Sequence, residues 1–288
     1  MKLIRAVLLA FASLVLVACG SDDDDKKVVV SINPASATIK AGTTQNFTAI
    51  VTGHSNTAVT WKVEGANSGS ITSNGVYTAP ATAGTYRVVA TSVADTKRSA
   101  SASASVTVTA LDKTTVRVFH ASPDAPKVNL WVNDAVVASD LDYQESTGNL
   151  ILDEGTYKVA VEGVIPGGNA VVIGPVDLAL AGKTDYDVIA VNNVADIEPV
   201  IISDTGSLSD NTKVRVRVAH LTAGAPAVKV YATAPDADLA SAAALGTFSF
   251  KGTLGPVEVP AGEYQIRVTL EDNTLVYDSG IVLSLIHI

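Results

Sequence analysis

Two histidines in register are the first residues in this sequence that could do chemistry. His120 stands in Val116-Arg117-Val118-Phe119-His120-Ala121-Ser122-Pro123-Asp124-Ala125-Pro126. His220 stands in Val216-Arg217-Val218-Ala219-His220-Leu221-Thr222-Ala223-Gly224-Ala225-Pro226, offset by 100 residues without a gap. Ser122 and Asp124 beside His120 suggest a nucleophile, base and orienting acid. That set works only if the histidine holds the serine hydroxyl and the aspartate holds the histidine. The second copy argues against it, because Thr222 and Gly224 replace the serine and the aspartate. A metal centre needs converging histidines and carboxylates, and each copy supplies one histidine. Asp134, Asp140, Asp142 and Asp153 could contribute to a calcium site, but no Asp-x-Asp-x-Asp-Gly loop accompanies them. The preferred reading is structural. His120, Asp124 and Pro126, with His220 and Pro226, form a loop in which each histidine ends an inward column and bonds the turn backbone, since buried polar groups need partners. No catalytic residue, metal or cofactor is expected.

The repeat also sets two aromatics apart. Val128, Leu130 and Val132 alternate with Asn129, Trp131 and Asn133, and Val228 and Val230 alternate with Lys229 and Tyr231. Side chains of a strand alternate between its two faces. Trp131 and Tyr231 are therefore expected to point away from the valine column. They either pack one copy against the other or form a ligand platform, for instance for a sugar ring.

Strands must position these residues. Val116, Val118 and His120 share one face, as do Val214, Val216, Val218 and His220. A later strand also recurs: Gly155-Thr156-Tyr157-Lys158-Val159-Ala160-Val161 resembles Gly262-Glu263-Tyr264-Gln265-Ile266-Arg267-Val268. Long helical periodicity is absent, apart from a possible turn at Asp238 to Leu245. The two copies span 114–203 and 213–288. The Arg-Val-x-His-Ala-Ser-Pro-Asp-Ala-Pro-x-Val run, the Gly-Thr-Tyr strand and Asp185-Tyr186-Asp187-Val188-Ile189-Ala190-Val191 resemble a family known as domain of unknown function 4397. That resemblance covers nearly all of 114–288 and implies a β-sandwich, a surface or secreted setting and no established activity. The second copy departs from it at Leu221 to Gly224.

Residues 28–110 alternate apolar and polar positions over short runs between turns at Asn33-Pro34, Ala41-Gly42, Asn74-Gly75 and Ala83-Gly84. About seven strands at this spacing indicate an immunoglobulin-like sandwich with Trp61 in its core. Ile32-Asn33-Pro34, Val59-Thr60-Trp61 and Gly75-Val76-Tyr77-Thr78-Ala79-Pro80 resemble the bacterial Ig-like (Big) family, which implies a stalk or adhesive repeat. The fold class expected for the chain is all-β: an Ig-like β-sandwich followed by two related antiparallel β-sandwich modules.

Ahead of this lies an address. Lys2 and Arg5 precede the apolar run Ala6 to Val17, which is shorter than the roughly 20 residues that span a bilayer. The run ends in Leu16-Val17-Ala18-Cys19-Gly20, which resembles a bacterial lipobox. That implies a signal peptide at 1–18, lipidation of Cys19 and an acidic tether at 19–27. The absence of Asp after the cysteine implies the outer membrane or cell surface of a Gram-negative host. Cys19 is the only cysteine of the 288 residues, so no intrachain disulfide forms. The formal charge of −9 argues against a nucleic-acid partner, which a basic patch would mark.

At the other end, the second copy carries no counterpart of Asp185–Val191, and Leu283-Ser284-Leu285-Ile286-His287-Ile288 resembles a sequencing-adaptor tail. A truncated second repeat with an open sheet edge is the expectation. Taken together, the sequence points to a lipid-anchored envelope protein with non-catalytic adhesion or binding, to a polysaccharide or a surface protein. A purely structural spacer is the alternative, and an enzyme with an unrecognised site a more distant one.

Overall fold

The computed structural model describes residues 27–94, 100–207, 209–210 and 212–284. Cys19, the leader and His287 lie outside them. The all-β expectation holds: the described residues form strands joined by turns, with two short 3-10 segments. The chain divides into two compact units, Met1–Ala110 and Leu111–Ile288.

The first unit contains β1 (Val29–Asn33), β2 (Ser36–Lys40), β3 (Thr44–Asn46), β4 (Thr48–Thr52), β5 (Val59–Glu64), β6 (Ser70–Ile71), β7 (Val76–Thr78), β8 (Gly84–Ser92) and β9 (Ser101–Thr109). Its main sheet runs β2-β9-β8-β5, with smaller sheets β1-β4 and β3-β7-β6. Alternation decides which face is buried. On β5, Val59, Trp61 and Val63 are half-buried while Thr60, Lys62 and Glu64 are exposed. Trp61 packs with Val30, Val51 and Ala90, so it belongs to the core. Gly75 is required beneath it. At its φ of +83° a Cβ would lie 2.2 Å from the Phe47 carbonyl oxygen and 3.1 Å from the indole ring.

The second unit holds both copies. The first comprises β10 (Lys113–His120), β11 (Val128–Val132), β12 (Ala135–Leu141), β13 (Leu150–Asp153), β14 (Gly155–Gly163), β15 (Ala170–Leu180), β16 (Asp185–Val191) and β17 (Glu198–Asp204). They form two four-stranded sheets, β13-β10-β16-β17 and β12-β11-β14-β15. Val116, Val118, Val128, Leu130, Val161 and Leu180 make the buried core, with Tyr157, Tyr186 and Val188 packed on it. Within its sheet β10 pairs antiparallel with β13 on one side and parallel with β16 on the other.

The second copy reuses six of these strands: β18 (Lys213–Ala219), β19 (Val228–Thr233), β20 (Gly246–Phe248), β21 (Thr253–Pro260), β22 (Gly262–Leu270) and β23 (Leu275–Ser284). The sheet β20-β19-β22-β23 repeats its counterpart, but the other has only β18-β21. Among the described residues nothing occupies the place that β16 takes beside β10. The consequence shows in burial. Val116 and Val118 are buried, whereas every residue of β18 is only half-buried.

Candidate functional site

The His120 loop is held by backbone. The Nε2 of His120 bonds the Pro126 carbonyl oxygen at 3.0 Å, and its Nδ1 accepts from the Ser122 amide at 3.3 Å. Pro126 has no donor of its own, so Nε2 carries the proton and Nδ1 is the acceptor. The ring is 1% exposed and lies edge-on to Tyr143. His220 repeats both contacts, with the Pro226 carbonyl at 3.1 Å and the Thr222 amide at 3.4 Å. The Asp124 carboxylate turns elsewhere and accepts from the Val194 amide at 2.8 Å. With both ring nitrogens of His120 on backbone, Ser122, His120 and Asp124 do not assemble into a relay. Among the described residues no group of three or more His, Cys, Asp and Glu side chains is placed to hold a metal ion.

Trp131 and Tyr231 occupy matching strand positions in different surroundings. In the first copy, β11 and β12 are joined by Asn133 and Asp134 alone, at φ of 48° and 65°. This is the left-handed pair that a two-residue hairpin turn needs. Nothing in so tight a turn can fold back over the sheet. Trp131 stays half-exposed above Ala160, its register partner on β14.

In the second copy the same connection is the excursion 234–245, which carries the 3-10 segment Leu239–Ser241. It folds over the outward face of β19 and β22. The Arg267 guanidinium donates to the Ala237 carbonyl at 2.6 Å and to the Thr233 hydroxyl at 2.7 Å, and the Asp236 amide donates to Gln265 at 2.8 Å. Tyr231, the register partner of Arg267, is thereby 6% exposed. Of the two expectations for Tyr231, packing or an open platform, the ring is packed, although under this loop and not against the other copy. The strand alternation is as read, but a loop covers that face.

Around Trp131 lies a cleft of ≈330 Å³ lined by Asp134, Lys158, Ala160, Glu162, Val171 and Pro175. One carboxylate organises it. Glu162 Oε2 accepts from Asn129 Nδ2 at 3.1 Å, from the Trp131 indole N–H at 3.3 Å and from Asn169 Nδ2 at 3.1 Å. The Asn129 amide does most to hold the Glu162 carboxyl below its ordinary pKa, with Asn169 and the indole adding to it against partial desolvation. The indole is thus fixed in orientation through its polar edge while its apolar body faces the cleft. The Asn133–Asp134 turn is pinned to the same sheet, since Asn133 donates its amide to the Lys158 carbonyl at 2.9 Å and accepts the Lys158 amide at 3.0 Å.

Sequence reasoning singled out Trp131 as a candidate and did not single out Glu162, Asn129 or Lys158. Asn129 was legible, two residues before Trp131 on the same face. Glu162 alternates in the same way with Lys158 and Ala160, but only the β11–β14 register brings it opposite Asn129.

A second, more polar cleft of ≈370 Å³ lies between the two copies. Arg117 bonds Asp187 at 2.9 Å, and Arg215 and Arg217 reach Asp204 at 2.6 and 3.4 Å. These arginines carry partners already, so the cleft reads as the seam between copies. The Gly206 amide is the main cause that holds the Asp204 carboxyl below its ordinary range, ahead of Arg215.

No curated protein matches the chain. Among solved structures it is similar to SGBP-B of the Bacteroides ovatus mixed-linkage glucan utilization locus, in complex with mixed-linkage heptasaccharide. The identity is 14%, over 88% of this chain and 69% of that one, with a TM-score of 0.21. At that score the likeness carries no argument about fold or ligand. The sequence itself gives a narrower match than the whole of 114–288, ending just before the excursion that covers Tyr231. The domain of unknown function DUF4397 is found at residues 114–231 of this chain.

Proposed function

We propose that this is a lipid-anchored envelope protein whose first DUF4397 copy binds polysaccharide, without catalysis, on the outward face of β11, β14 and β15. Cys19 is its lipidation site, residues 28–110 are a Big-type stalk, and the outer membrane or cell surface is its place. The observation that carries the binding reading is the Trp131 platform. A half-exposed indole, held by Glu162 through its N–H, lies in an open cleft flanked by an amide, a carboxylate and an ammonium group. An apolar ring face suits the C–H face of a sugar, and a few fixed polar groups around it suit hydroxyls. The tyrosine at the matching position is covered, so the platform belongs to one copy.

The test is a glycan array, followed by affinity electrophoresis in soluble polysaccharides, on residues 27–288 and on Trp131→Ala. Wild type is expected to be retarded by at least one polysaccharide, and the variant to lose that retardation with unchanged circular dichroism. Retention of binding by Trp131→Ala would move the site elsewhere. Failure of wild type to bind any glycan would favour the structural spacer.

A further inference from the structure

The indole of Trp131 is one stage of a longer apolar band. Trp131 on β11 has Val136 as its register partner on β12 and Ala160 as its partner on β14. Register partners share a face of the sheet, so Val136 stands beside the indole on the outward side. Pro175 on β15 continues the row past Ala160, and both line the cleft. Gly174 permits that close approach. At its φ of +84° a Cβ would lie 2.6 Å from the Val159 carbonyl oxygen and 3.3 Å from the Ala160 Cα. Val136 is 45% exposed and Pro175 is exposed as well, so the band is open at both ends. It crosses all four strands of its sheet, β12-β11-β14-β15. At about 4.8 Å between strands, its ends lie roughly 14 Å apart.

Polar groups flank the band and do not interrupt it. Along β14, Lys158 and Glu162 lie two residues to either side of Ala160, each about 7 Å away. Glu162 borders one side together with Asn129 and Asn169, which bond it. Lys158 borders the other side with Asp134 of the hairpin turn. The charges do not balance. Asp177 is the register partner of Lys158 and offsets its ammonium group, which leaves the Asp134 and Glu162 carboxylates in excess. A polyanion entering here would meet like charge. A polycation gains little from Glu162, because three N–H donors already occupy its carboxylate.

We infer that the band takes an internal stretch of an uncharged polysaccharide, laid across the strands. One sugar ring stacks on Trp131, and its neighbours in the chain lie over Val136 on one side and over Ala160 and Pro175 on the other. This rests on the glycan reading of the Trp131 cleft, and adds to it strand β12, the direction of the chain and the charge of the polymer. A row of apolar contacts open at both ends grips the faces of successive rings and lets the chain continue past each end. Recognition of a chain end would call instead for a closed pocket with polar groups placed at the terminal ring. Lys158 and Asp134 supply a donor and an acceptor for hydroxyls that project from the ring edges.

The test is affinity electrophoresis of the full chain in gels that contain hydroxyethylcellulose, galactomannan, dextran or soluble starch as uncharged polymers, polygalacturonate as a polyanion and glycol chitosan as a polycation. Wild type is expected to be retarded by at least one uncharged polymer and by neither charged one, with affinity changing less than about twofold between low and high salt. Borohydride reduction of the polymer's reducing ends is expected to leave that affinity unchanged. Val136→Asp is expected to weaken binding at least about fivefold with unchanged circular dichroism, and Val136→Ser to act in the same direction. Val136 variants that bind as wild type does, while Trp131→Ala does not bind, overturn the inference and leave the Trp131 cleft as the glycan site. Retardation by the charged polymers alone, or affinity lost on end reduction, overturns it in the same way. Absence of retardation in every gel removes the glycan reading itself, and the inference with it.

Discussion

Replacing His120 by Asn separates the two roles of the ring. The Asn side-chain oxygen can reach the Ser122 amide as Nδ1 does, but no atom of Asn reaches the Pro126 carbonyl that Nε2 bonds at 3.0 Å. That carbonyl, on a half-buried proline, is left without this partner. An unsatisfied buried acceptor costs about 1–3 kcal/mol. The lost outer half of the ring, which meets Tyr143 edge-on, raises the total to roughly 2–4 kcal/mol. His220→Asn makes the same deletion in different surroundings. His220 is 8% exposed and, with Pro226, borders a groove of ≈450 Å³ that also meets Val218 and Val230. Water can take over the bond to Pro226, so the expected cost is about 1 kcal/mol or less. Urea unfolding followed by far-UV circular dichroism, with the slope compared between variants, measures both. His120→Asn is expected to lower stability more than His220→Asn and to leave glycan binding intact. Equal effects, or an unchanged midpoint with lost binding, would refute the structural role given to these histidines.

Two further predictions concern the anchor and the platform. Cys19→Ser is expected to move the protein from the membrane fraction to the soluble fraction, checked by fractionation and by mass spectrometry of the amino-terminal peptide. Sedimentation of the variant with membranes, together with unlipidated wild type, would remove the lipobox. For the platform, the depressed Glu162 pKa gives the sign of a pH effect. Its hydrogen bonds favour the carboxylate, so the hold on the indole is complete above the ordinary value of 4.5 and is lost as pH falls through the lower folded value. In a Trp61→Phe background, Trp131 fluorescence is expected to titrate with a midpoint below 4.5, and Glu162→Gln to abolish that transition. A midpoint at or above the ordinary value would mean that the Asn129, Trp131 and Asn169 bonds do not form in solution.

What could be read from the sequence was local, and what could not was a matter of coverage and pairing. Val116, Val118 and His120 show their common face by spacing alone. Asp238 signals its turn because its carboxylate can cap a free amide, and it accepts from Ala240 in the structure. Trp61 reads as core because its neighbours alternate cleanly. Tyr231 reads as outward for the same reason, yet its exposure depends on the path of 234–245, which strand periodicity does not encode. Nor does periodicity encode the parallel pairing of β10 with β16, or of β2 with β9, because those partners are far apart in the chain. Glu162 escaped notice for this reason: its place beside Trp131 is a product of register.

The two copies expose opposite parts of one design, and energetics keeps them apart. For Tyr231 to serve as a platform, the 234–245 excursion would have to lift. Lifting it breaks the bonds of Arg267 to Ala237 and of Gln265 to Asp236, and leaves a guanidinium that is 8% exposed without that carbonyl partner. A hydrogen bond from a charged group contributes about 1.5–3 kcal/mol and a neutral one about 1 kcal/mol. Opening therefore costs roughly 2.5–4 kcal/mol, and the open form is populated at about 1% or less. A ligand would see its affinity for Tyr231 reduced by that fraction, while Trp131 carries no such penalty. Restoring a two-residue turn at this connection would remove the penalty, but it would also take the Ala237 carbonyl from Arg267 and the Asp236 amide from Gln265, leaving them the Thr233 hydroxyl and the Asp278 carboxylate on the neighbouring strands β19 and β23. Among the described residues the aromatic at this strand position is therefore open in the first copy and covered in the second, so a ligand of the proposed kind would meet Trp131 and not Tyr231.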